Sequence, residues 1–87
     1  MKDLKQCREE IDLVDRQLVE LFQKRMHIAE EIAAYKSAHE MNVLDSAREE
    51  EKLNTVRSLA EPDYEDATAE LYEKIMELSR RQQKERL

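Results

Sequence analysis

Apolar residues fall at Leu4, Cys7, Ile11, Val14, Leu18 and Leu21, then at Ile28, Ile32 and Tyr35. The steps alternate three and four, the spacing of a single stripe along an α-helix. Neither Gly nor Pro interrupts it, so the pattern predicts one helix from about residue 3 to 39, capped by Asp3. Between His39 and Leu44 the periodicity fails, and a short loop is expected there, with Met41, Val43 and Leu44 packed against the core. A second helix is predicted over 46–60, with Leu53, Val56, Leu59 and Ala60 as its apolar positions. Asp45 or Ser46 caps it, and Ser46 with Glu49 fits a capping box. Glu49 shares a face with Asp45 and Val56, so it points inward. The chain turns at Glu61-Pro62-Asp63. A third helix follows over 64–86, its inner row running Ala67, Leu71, Ile75, Ser79 and Gln83. The reading is all-α, with one long, one short and one medium helix in a single domain spanning residues 1–87.

Composition changes this picture in one respect. The chain has 87 residues, with no Gly and one Pro, which supports helix nearly throughout. A helix of ~37 residues is ~55 Å long, and the rest of the chain is too short to cover it. A partner chain is therefore expected, most simply a second copy related by two-fold symmetry. The net charge of −6 disfavours nucleic acid or an anionic membrane as partner. A single Cys suits a reducing cytoplasm. The start, Met-Lys-Asp-Leu-Lys-Gln, has no leader pattern, and no apolar run approaches the ~18 residues of a membrane span.

The candidate chemistry lies where polar residues interrupt apolar rows. The step after Leu21 lands on Arg25, and a guanidinium on a buried seam requires an anionic partner. Lys36 lies within roughly 20° of Arg25 and about 16 Å along the axis, so both can meet one ligand. Arg8 lies about 25 Å from Arg25 and points roughly 100° away, so it reaches the same pocket only from a second copy. Arg48 sits in the first turn of the second helix, where the dipole disfavours a cation. Ser79 and Gln83, four residues apart, project together near the end of the third helix. No arrangement of residues makes an activated nucleophile. His27, His39 and Cys7 do not form a metal site, and without glycine there is no phosphate loop. The residues instead suit a cavity for a small dianion bearing a hydroxyl, working by orientation and electrostatics without metal or cofactor. Taken singly, each position has an ordinary explanation. Arg25 can be a snorkelling seam residue, Lys36 a surface charge, Asp45 an N-cap, Glu49 a capping-box member, and Ser79 with Gln83 a frayed helix end. Arg80 to Arg86 form a charge-rich helix C-terminus. The joint pattern outweighs the single ones.

The order of these residues resembles the AroQ-class, all-helical chorismate mutases. The resemblance is carried by the run from Arg8 to Met26 (REEIDLVDRQLVELFQKRM), by IAAYK ending at Lys36, by VLDSARE ending at Glu49, and by IMELSRRQQ ending at Gln83. It covers essentially the whole chain, and the spacings are specific jointly rather than singly. The resemblance implies a cofactor-free [3,3] rearrangement of chorismate to prephenate in aromatic amino-acid biosynthesis. It also implies an intertwined helical-bundle homodimer with two equivalent sites. By position, Arg25 and a partner's Arg8 clamp the two carboxylates, and Arg48 and Ser79 complete those contacts. Lys36 and Gln83 donate to the ether oxygen, while Glu49 with Asp45 holds the ring hydroxyl. The family often carries Gly and Pro before its second helix. Here His39-Glu40-Met41-Asn42 fills the loop, with Asn42 the candidate for a left-handed turn, and Ser46 stands where Pro is common. Two other readings remain: an isochorismate pyruvate-lyase on the same scaffold, and a non-catalytic helical dimerisation module. The module reading lets Arg25, Lys36 and Gln83 become apolar with stability kept or raised; the mutase reading makes those changes cost activity while leaving the fold.

Overall fold

A computed structural model describes residues 1–86. Among them the elements are α1 (Leu4–Ala38), α2 (Ser46–Leu59), a 3-10 turn (Pro62–Tyr64) and α3 (Glu65–Arg86), with no strand. The all-α, three-helix expectation holds, as do the helix boundaries to within a residue or two.

Local chemistry sets the boundaries. The Asp3 carboxylate accepts from Gln6 N at 2.8 Å, and the Gln6 side chain accepts from Asp3 N at 3.1 Å. This reciprocal capping box satisfies donors that a helix start leaves open. At α2 the cap is Asp45, whose Oδ1 accepts from Arg48 N at 3.0 Å. Ser46 is the first helical residue, so the expected Ser46–Glu49 box does not form. Pro62 opens the 3-10 turn, where its missing N–H costs nothing.

The end of α1 corrects one expectation. Met41 N donates to Lys36 O at 2.7 Å and Glu40 N to Ser37 O at 3.3 Å, the bond pair of a Schellman cap. The left-handed residue is Glu40, with φ 54°, and not Asn42. The cap geometry counts from the last helical turn, and that count falls on Glu40 regardless of which nearby residue suits a turn. Of the three loop residues expected in the core only Val43 is half-buried; Met41 and Leu44 are exposed.

Helix α3 packs against both α1 and α2. The buried apolar residues are Ala29 and Ala33 of α1, Val56 of α2, and Ala69 and Met76 of α3. The inner row of α3 therefore runs Ala69, Tyr72, Met76, Ser79 and Gln83, with Ile75 half-buried beside it, whereas Ala67 and Leu71 are exposed. A row built only of four-residue steps drifts about 40° per step around a helix. Ser79 and Gln83 belong to the true stripe, but backward steps of four leave it, and Leu71 is 49% exposed. On α2, Leu59 is likewise exposed rather than inward-facing.

The chain is long and thin. Its extents are 56 × 25 × 15 Å and its radius of gyration is 16.2 Å, against about 12 Å for a compact chain of this length. The α1 stripe at Leu4, Ile11, Val14, Leu18 and Leu21 is exposed, and no described residue of the chain covers it. Glu40 in the left-handed region costs about 1 kcal/mol relative to Gly. Glu40→Gly therefore raises unfolding free energy by about that amount in urea titrations; an unchanged or lower stability contradicts the strain.

Candidate active site

Alanine at positions 29 and 33 brings α1 close to α3, and beside this contact α2 closes one side of a cleft of ≈ 190 Å³. From α1 come Arg25, Lys36 and the apolar wall of Ala29 and Ile32. Asp45, Arg48 and Glu49 come from the first turn of α2, and Met76, Ser79 and Gln83 from α3. Of the eight candidate residues named from the sequence, only Arg8 is not part of this lining.

Each side chain is held by identifiable contacts. The Arg25 guanidinium lies over the Tyr72 ring, 5.6 Å from its centroid, a cation–π contact that orients it without using its donors. Lys36 is half-buried and its Nζ donates to Val43 O at 3.0 Å. Since the Lys36 carbonyl is also bound in the helix cap, both ends of this residue are tied to the same loop. Among the described residues neither Arg25 nor Lys36 has a carboxylate partner. Their charge is thus available to an anionic ligand. Asp45 serves as N-cap and lines the cleft at once. Arg48 stands at the rim, its Nη1 3.2 Å from Glu51 Oε1, which offsets its poor position in the helix dipole.

Two buried polar side chains of α3 form the floor. Ser79 Oγ contacts Met26 Sδ at 3.3 Å, a weak acceptor. Gln83 is 8% exposed and its Oε1 has no hydrogen-bond partner among the described residues. Such a group destabilises a fold by roughly 1–3 kcal/mol.

Two residues escaped the sequence reading: Lys52 and Arg80 also line the cleft. Lys52 follows Glu49 by three residues and Arg80 precedes Gln83 by three, so helical spacing was the available signal. The charge-rich C-terminal run suggests a solvated Arg80, but the residue faces inward. Arg81 fits the surface reading, pairing with Glu77 at 3.2 Å. The lining carries five cations against two carboxylates in a chain of net charge −6. No group of His, Cys, Asp and Glu suited to a metal occurs among the described residues.

The model of the family described as chorismate mutase type II matches residues 7–84. The chain belongs to this family. It is a chorismate mutase, an isomerase whose substrate is chorismate and whose product is prephenate. No curated protein and no solved structure matches it. Among the described residues, no helix is long and apolar enough to cross a membrane. The mutase reaction suits the cleft: an intramolecular rearrangement needs a shaped, charged cavity rather than a nucleophile.

A buried amide oxygen without a partner among the described residues predicts a trade between stability and function. Gln83→Leu raises unfolding free energy by about 1 kcal/mol while lowering chorismate turnover. Urea titration and a turnover assay of the same preparation check this; a clear loss of stability contradicts it.

Proposed function

We propose that the cleft is the mutase site and that its residues divide the work as follows. Arg25 and Arg8 of the partner subunit grip the two substrate carboxylates, with Arg48 and Ser79 completing those contacts. This grip folds the ether side chain over the ring, so that the carbons to be joined meet; proximity of this kind supplies much of the rate. Lys36 and Gln83 donate to the ether oxygen. As its C–O bond breaks before the new C–C bond is complete, that oxygen gains negative charge. An ammonium placed there binds the transition state more tightly than the ground state, which is the requirement for raising kcat. Glu49, with Asp45, accepts from the ring hydroxyl. No covalent intermediate and no cofactor is required.

The observation that carries this reading is convergence. Seven residues from three helices, chosen for their spacing, line one cleft, and Arg25 and Lys36 reach it without a carboxylate partner.

The same reading makes the working enzyme an intertwined homodimer. The exposed apolar stripe on α1 supports a second copy as its cover, and Arg8 lies on that stretch of helix. Burying a side chain such as Leu18 contributes ~1.5–3 kcal/mol, so a paired stripe is a large stabilising term. The lone cysteine supports a cytoplasmic setting. No observation favours the isochorismate lyase or the non-catalytic module.

Lys36→Ala lowers kcat by ~10²–10³, the scale of losing one oxyanion donor, while circular dichroism remains helical. The loss of chorismate's diene absorbance, with prephenate identified as product, measures it. A variant that turns over at the wild-type rate removes Lys36 from the mechanism.

A further inference from the structure

Among the described residues, one ion pair lies in the interior of the cleft. Arg80 Nη1 of α3 donates to Glu49 Oε1 of α2 at 2.5 Å, with the two side chains 28% and 26% exposed. Other ion pairs lie farther out: Arg57–Asp66 is 42% and 93% exposed and Arg48–Glu51 59% and 68%. A charge-assisted hydrogen bond is stronger than a neutral one, and a guanidinium has a fixed planar donor fork.

Glu49 needs such a partner because of its surroundings. The cleft also holds Arg25, Lys36, Arg48 and Lys52. A carboxylate free to swing among them would settle on a cation meant for the substrate and neutralise it. Arg80 occupies one carboxylate oxygen from the α3 side and leaves Oε2 to accept from a ligand. It also leaves Arg25 and Lys36 free of carboxylates, as observed. We propose that Arg80 is a positioning residue: it fixes the Glu49 carboxylate toward the ring hydroxyl of the substrate and keeps it off the cations that bind the substrate carboxylates. The inference rests on the role proposed for Glu49 and adds what aims that group.

The test compares chorismate with an analogue in which hydrogen replaces the ring hydroxyl, using the full-length chain. Arg80→Met is expected to lower kcat/KM for chorismate by about 10- to 100-fold, the scale of a misplaced contact. Turnover of the analogue, which offers Glu49 nothing to hold, falls far less. Arg80→Lys, which keeps the charge but not the fork, recovers part of the loss. In a Glu49→Gln background, Arg80→Met costs nothing further, because the two residues act as one unit. Equal losses on both substrates, or additive losses in the double variant, overturn the proposal; the first assigns Arg80 to a substrate carboxylate or to the fold alone. If Arg80→Met does not fold by circular dichroism, the ratio between substrates for Arg80→Lys decides, and an unchanged ratio overturns the proposal. Wild-type chain that turns over both substrates equally removes the role of Glu49 itself, a failure distinct from that of Arg80.

Discussion

Helices α1 and α3 pack together, the buried residues of α1 being the small Ala29 and Ala33, and most of the cleft depends on that contact. Larger side chains at these positions would push the axes apart. With the helices close, Arg25 and Lys36 from α1 look onto Ser79 and Gln83 from α3. The packed floor beneath them is small: Met76 and the two alanines. One interhelical bond reinforces it, from Gln82 Nε2 to Glu30 Oε1 at 2.6 Å. α2 then folds back on α3 through Val56, which brings its acidic first turn to the mouth of the cleft.

The structure spends its small interior on polar groups. Ser79 and Gln83 are buried alongside only a handful of apolar residues, a composition that disfavours an independently stable chain of this length. The uncovered stripe on α1 is the complementary fact. In the proposed dimer, function and assembly are coupled: a second copy would cover the long helix of a chain that holds a polar cleft, and the same copy would supply Arg8. The loop after α1 shows the same economy. Its cap fixes the backbone of Lys36 while Val43 O holds the ammonium, so a strained Glu40 helps to aim a charge.

Much of this was legible in the sequence, and the failures have physical reasons. The three- and four-residue steps of α1 locate the long helix, and the Arg at the gap in its stripe lines the cleft. Asp3, Asp45 and Pro62 act through local chemistry, and local chemistry can be read directly. On α3, a row of four-residue steps drifts around the helix, so its early members Ala67 and Leu71 are exposed while Ser79 and Gln83 are buried. Residue preference points to Asn42 as the left-handed residue, whereas the bond count that defines a helix cap falls on Glu40. Arg80 was hidden in a basic run, where composition suggests a solvated end; only its spacing from Gln83 pointed inward. The pairing of Arg80 with Glu49 joins two helices and leaves no local trace.

The central claim is that each active site is completed by a second copy. The most direct measurement mixes two inactive variants, Arg8→Ala and Arg25→Ala, after exchange of subunits. Each mixed dimer then contains one site with both arginines intact, so about a quarter of wild-type activity returns when the chains pair at random. A mixture no more active than the separate variants, from chains that demonstrably exchange, contradicts the shared site.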